Sequence, residues 1–86
     1  MDCPSACAKI VMPACSHGPP SAALCEAICN ATLSGNDATC KAALEGVLGC
    51  MTPSSTMACD AKGNPTSVGC EAEFTAFVPC VPGGAT

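Results

Sequence analysis

The stretch from Cys3 to Cys29 decides the fold. It opens Cys3-Pro4-Ser5-Ala6-Cys7-Ala8-Lys9-Ile10-Val11-Met12-Pro13 and closes Leu24-Cys25-Glu26-Ala27-Ile28-Cys29, with a C-x3-C pair at each end. Residues four apart on a helix sit on adjacent turns of one face, so each pair presents two sulfurs to the same neighbour. Cys3, Ala6, Cys7, Ile10, Val11 and Ala14 extend that face over a first helix, which Pro4 suits in its first turn and Pro13 ends. After the breaker run Ser16-His17-Gly18-Pro19-Pro20, Leu24, Cys25, Ile28, Cys29 and Thr32 repeat the spacing on a second helix that stops at Gly35. Two such helices packed antiparallel bring the start of one to the end of the other. The expected bridges are therefore crossed, Cys3 to Cys29 and Cys7 to Cys25.

Outward from this hairpin the pattern continues. Asp37 is placed to cap a third helix with the stripe Cys40, Ala43, Leu44, Val47, Leu48 and Met51, closed by Gly49 and Pro53. A fourth stripe runs Cys70, Phe74, Phe77, Val78 before Pro79, with Glu71 and Glu73 near the positive end of the helix. Between them Gly63-Asn64-Pro65 interrupts short flanks, which predicts a small β-hairpin over 57–68. Two strands alone are marginal, so the hairpin has to pack on the helices or be pinned through Cys59. A weak repeat of period 30 aligns Cys29 with Cys59, Cys40 with Cys70 and Cys50 with Cys80, too little for a solenoid. The expected architecture is mostly α: about four short helices and one hairpin in a single domain, 1–81, followed by a flexible tail, 82–86.

Ten cysteines in 86 residues, an even number in a short chain, point to a disulfide framework and an oxidising compartment. With Trp and Tyr absent and only two Phe, large core side chains are scarce and cross-links must supply part of the stability. An apolar fraction of 49% excludes a solvated disordered tail. Three Lys, no Arg and a net charge of −4 leave little to neutralise phosphate, which argues against nucleic acid and anionic membranes as partners. No run is long enough to span a bilayer and no charged-then-apolar leader precedes Cys3, so the chain reads as a mature domain of the cell exterior.

The cysteines Cys3, Cys7, Cys15, Cys25, Cys29, Cys40, Cys50, Cys59, Cys70 and Cys80 are all read as bridged. A Cys59 to Cys70 bond across the hairpin would leave Cys15, Cys40, Cys50 and Cys80 to share two more. Metal is the sharper alternative, with C-x3-C chelation aided by Met12, Met51, Met57 or His17, but zinc modules show matched pairs without surplus cysteines. Redox catalysis needs C-x-x-C, which is absent, and Cys15-Ser16-His17 sits in a Gly-Pro-Pro turn where a solvent-facing His beside a bridged Cys is the plainer reading. Glu71 and Glu73 cannot face each other on a helix, so no acid–base pair is expected. Asn30-Ala31-Thr32 satisfies the glycosylation sequon, whereas Asn64-Pro65-Thr66 is disqualified by its proline.

The twin C-x3-C pairs resemble those of α-hairpinin peptides and small mitochondrial inner-membrane chaperones. The C-x9-C pairs Cys40/Cys50 and Cys70/Cys80 resemble coiled-coil-helix-coiled-coil-helix proteins. Both likenesses imply stapled helical hairpins and no function, and Cys15 and Cys59 have no counterpart in either. Across nearly the whole chain, the opening C-x3-C-x7-C, the second C-x3-C, the C-x9-C helix, Ala58-Cys59-Asp60-Ala61 and Gly69-Cys70-Glu71 resemble cysteine-rich modules of secreted proteins and envelope lipoproteins of myxobacterial type. That resemblance implies export and disulfides, and adds no catalytic residue and no cofactor.

The expected role is a secreted, non-catalytic structural or adhesive scaffold module. It would meet an extracellular protein or another copy of itself through loops 16–21, 51–57 and 61–66. The alternative is a carrier of a small apolar ligand or lipid, since Ala and Cys on the stripes fill less volume than Leu and can leave space between helices. A second alternative is thiolate metal binding, which requires free cysteines.

Overall fold

Each of the first three helices begins at a side-chain oxygen that takes an otherwise unpaired amide of the first turn. In the computed structural model, which describes residues 1–86, Asp2 accepts from Ser5 N at 2.9 Å, Ser21 from Leu24 N at 3.1 Å, and Asp37 from Cys40 N at 3.0 Å. The Ser5 amide holds the Asp2 carboxyl below its ordinary value. The helices are α1 (Cys3–Ile10), α2 (Ala22–Ser34), α3 (Ala38–Cys50) and α4 (Glu71–Phe77), the last followed by a single 3₁₀ turn, Val78–Cys80. Between α3 and α4, β1 (Met57–Cys59) pairs antiparallel with β2 (Pro65–Ser67), Met57 opposite Ser67 and Cys59 opposite Pro65. The mostly helical architecture with one hairpin is thus the one the stripes predict.

Two boundaries differ from expectation. Ala14, expected on the α1 stripe, lies outside the helix, exposed and at φ 52°. Pro13 brings no amide to continue the ladder, and the amides of Met12 and Ala14 turn back to Lys9 O and Val11 O, both at 3.2 Å. Gly49 does not close α3: the helix runs through it to Cys50, Met51 N still bonds Val47 O at 3.0 Å, and the chain turns extended at Met51.

Packing proceeds serially, α1 on α2, α2 on α3, α3 on α4 and α4 on β2. Only 12 of the 86 residues are buried, and of the ten apolar ones half are cysteines: Cys3, Cys7, Cys25, Cys29 and Cys70. Sulfur therefore does the packing that aromatic side chains do in a larger domain. All ten cysteines are bridged. Cys3–Cys29 and Cys7–Cys25 form as the crossed pairing requires.

The expected Cys59–Cys70 bond does not form; the remaining bridges are Cys15–Cys59, Cys40–Cys80 and Cys50–Cys70. The hairpin tip is held against the turn after α1, where His17 N donates to Gly63 O at 3.0 Å, and this puts β1 beside Cys15. Gly63, at φ 83°, is needed there, because a Cβ would collide with Ser16 Oγ. Cys70 instead stands at the start of α4, against the end of α3 that carries Cys50.

Burial grades these bridges. Cys3, Cys7, Cys25 and Cys29 are all buried, whereas Cys59 lies on the surface. A reducing thiolate must reach a sulfur to attack it. Under limiting reductant, peptide mapping after alkylation is expected to show Cys15–Cys59 opened first and the α1–α2 pair last. Ser67 is fully buried and its hydroxyl has no hydrogen-bond partner. Ser67→Ala is expected to raise stability by about 1 kcal/mol, read from the guanidinium midpoint.

Candidate functional site

The buried residues fall into two clusters. One gathers the α1–α2 bridges with Leu44; the other joins Ala6, Val47, Met51, Cys70 and Phe74. Residues of both clusters line a cavity of about 70 Å³ between the helices. Its walls are Ala6 and Ile10 of α1, Ile28 of α2, Leu44, Val47 and Leu48 of α3, and Phe74 and Phe77 of α4, with Cys7, Cys25 and Cys29 of the α1–α2 bridges. The space arises where small side chains, Ala6 and the cysteines, meet branched ones across the bundle. The disulfides hold α1 and α2 at a fixed separation and oppose collapse into it.

Pro19, Pro65, Val78, Val81 and Gly84 complete the lining, and its only polar side chains are His17 and Asn64. Asn64, on the hairpin turn, is 3% exposed. Its backbone is fixed by Asp60: Asn64 N donates to Asp60 Oδ1 at 2.9 Å, and Asp60 N donates to Asn64 O at 2.8 Å. Its side chain then faces the C-terminal residues, accepting from Ala85 N at 3.0 Å and donating to Ala85 O at 2.5 Å. His17 Nδ1 lies 3.1 Å from Gly83 O. Within the segment 82–86, Gly83 and Ala85 thus meet this side of the cavity. A wider depression of about 350 Å³ lies beside Cys50–Cys70, lined by Thr52, Ser54, Ser55 and Thr56. It is larger but more open, and part of its polarity is spent within its own turn, where Thr52 N donates to Ser55 Oγ at 2.8 Å and Ser54 N to Thr52 Oγ1 at 3.2 Å. The less open, apolar cavity is the better-formed site.

Of the sequence-derived candidates, Cys7, Cys25, Cys29 and His17 line this cavity, and the others lie elsewhere. With every cysteine sulfur bonded to another, no thiolate is present to hold a metal. Of the other proposed ligands, Met51 is buried in the core and Met12 is 75% exposed. His17 is exposed next to bridged Cys15. Glu71 lies in the first turn of α4, accepting from Gly69 N at 3.0 Å, with Glu73 beside it. Asn30 is exposed on α2, and the Thr32 hydroxyl of its sequon donates to Ile28 O at 2.8 Å. Asn64 escaped the sequence reading because Gly-Asn-Pro reads as turn chemistry, and only tertiary contact gives its amide a second task.

No family model matches the chain, and no curated protein or solved structure is significantly similar to it. No helix is long and apolar enough to cross a membrane.

An engineered cavity of about 150 Å³ with a similar lining binds benzene. Leu44→Ala, which removes a buried wall of this cavity, is expected to cost roughly 2–5 kcal/mol and to let the protein bind benzene, as measured by a benzene-dependent rise in unfolding midpoint.

Proposed function

We propose that this protein is a small, non-catalytic binding module of the cell exterior that receives an apolar group in the cavity between its four helices. The cavity carries the reading. Its lining is apolar apart from His17 and Asn64, and no Asp, Glu, Lys or Arg lines it. By proportion with the benzene site, about 70 Å³ admits a guest of about three carbon atoms in the closed form. His17 is the single titratable group of the lining, so the site has nothing to pair with it for acid–base or nucleophilic work. Five disulfides fit secretion, since such bonds persist in an oxidising compartment, and they would keep the chamber open against heat and proteases.

A structural or adhesive role is the second reading. It is favoured by apolar side chains left on the surface, Met12 at 75%, Val68 at 69% and Leu24 at 44% exposed, any of which suits a protein partner or a second copy.

Xenon separates the two, because it binds dry apolar cavities without needing polar contacts. In methyl NMR of the native protein, xenon is expected to produce saturable shifts at Ile10, Ile28, Leu44 and Val47, which line the cavity, and none at exposed Val68. Filling the space with Ala6→Leu is expected to abolish them. Non-saturable shifts no larger at the lining than at Val68 would leave the adhesive reading in place.

A further inference from the structure

Resting on that reading of the cavity, we infer that residues 81–85 form a displaceable strap occupying the head-group end of the site, and that the ligand is an uncharged amphiphile. Its short hydrocarbon chain would enter the cavity, and its head would carry one hydrogen-bond donor and one acceptor.

The strap belongs to the wall, since Val81 and Gly84 both line the cavity. Beyond Cys80, which is tied to Cys40, its hydrogen bonds to the rest of the fold are the two at Asn64 and the contact of Gly83 O with His17. Its other bonds are local, Val81 N to Val78 O at 3.1 Å and Gly84 N to Val81 O at 3.0 Å. The partner side is rigid, because Asn64 is locked at its backbone by Asp60. Lifting the strap removes Val81 and Gly84 from the wall and uncovers, at its mouth, the amide N–H donor and carbonyl acceptor of Asn64 beside the His17 ring.

Those two groups cannot be left dry and unpaired without cost, so a ligand that reaches them with an acceptor and a donor replaces Ala85 bond for bond. A primary amide does this. A carboxylate or phosphate head finds no Lys or Arg in the lining, and the chain carries −4 overall. The Cys40–Cys80 bond keeps the strap tethered, so it competes with ligand at a high effective concentration, and apparent affinity scales with the fraction of open molecules.

Butanamide and N,N-dimethylbutanamide test this, because they share a three-carbon chain and an acceptor while only the first has N–H donors. Gly84→Ala unseats the strap and leaves Asn64 whole, since a Cβ there meets Val78 O at 2.7 Å and Val81 O at 3.2 Å. Titrated by methyl NMR, Gly84→Ala is expected to bind butanamide roughly tenfold or more tightly than the unmodified protein, and roughly tenfold more tightly than it binds the dimethyl compound. Asn64→Ala is expected to lose the discrimination between the two compounds. Equal butanamide affinity of Gly84→Ala and unmodified protein, or equal affinity for both amides in Gly84→Ala, overturns the strap inference while saturable xenon shifts keep the cavity as a site. Absence of those xenon shifts overturns the cavity reading and the strap with it.

Discussion

Two crossed bridges, Cys3–Cys29 and Cys7–Cys25, hold the rest of the structure in place. They clamp α1 and α2 along one face, and their sulfurs fill the position that a run of leucines takes in a larger bundle. A chain with two Phe, no Trp and no Tyr cannot gain enough from burial to offset the ordering of its backbone. Restricting the unfolded chain offsets part of that cost, by roughly 2–4 kcal/mol for each bridge.

The remaining bridges continue the same principle outward. Cys50–Cys70 joins the end of α3 to the start of α4, Cys40–Cys80 ties the far end of α4 back to the start of α3, and Cys15–Cys59 fastens the hairpin to the turn after α1. Two strands of three residues each would not persist alone. They are held by that bond, by β2 against α4, and by the close approach of Gly63 to Ser16.

A frame set by covalent bonds need not be filled completely. Where residues spaced by bridges meet across four helices, small side chains leave a void that a core without staples would close by shifting its helices. The void and the framework are in this sense one feature. The polar residues at its rim, His17 and Asn64, arrive from two loops and converge on the C-terminal segment, so a scaffold built by sulfur acquires a site with an apolar interior and a hydrogen-bonding mouth.

The elements and the first two bridges were legible in the amino-acid sequence, because a C-x3-C pair carries its own helical geometry and because Pro4, Asp37, Gly35 and the Gly-Asn-Pro turn act within a few residues of themselves. Gly49 misled for the complementary reason: a glycine permits a helix to end without compelling it, and the hydrogen bond from Met51 to Val47 carries α3 past it. What tertiary structure decided was the company each element keeps. Cys59 and Cys70 flank one hairpin and are eleven residues apart, yet the docking of the hairpin tip against His17 sends Cys59 to Cys15, and the packing of α4 on α3 sends Cys70 to Cys50. The cavity and the hold of Asn64 on Ala85 belong to this second kind. Their parts come from four helices, a hairpin and the chain end, and local sequence constrains the conformation of each part without specifying the space left between them.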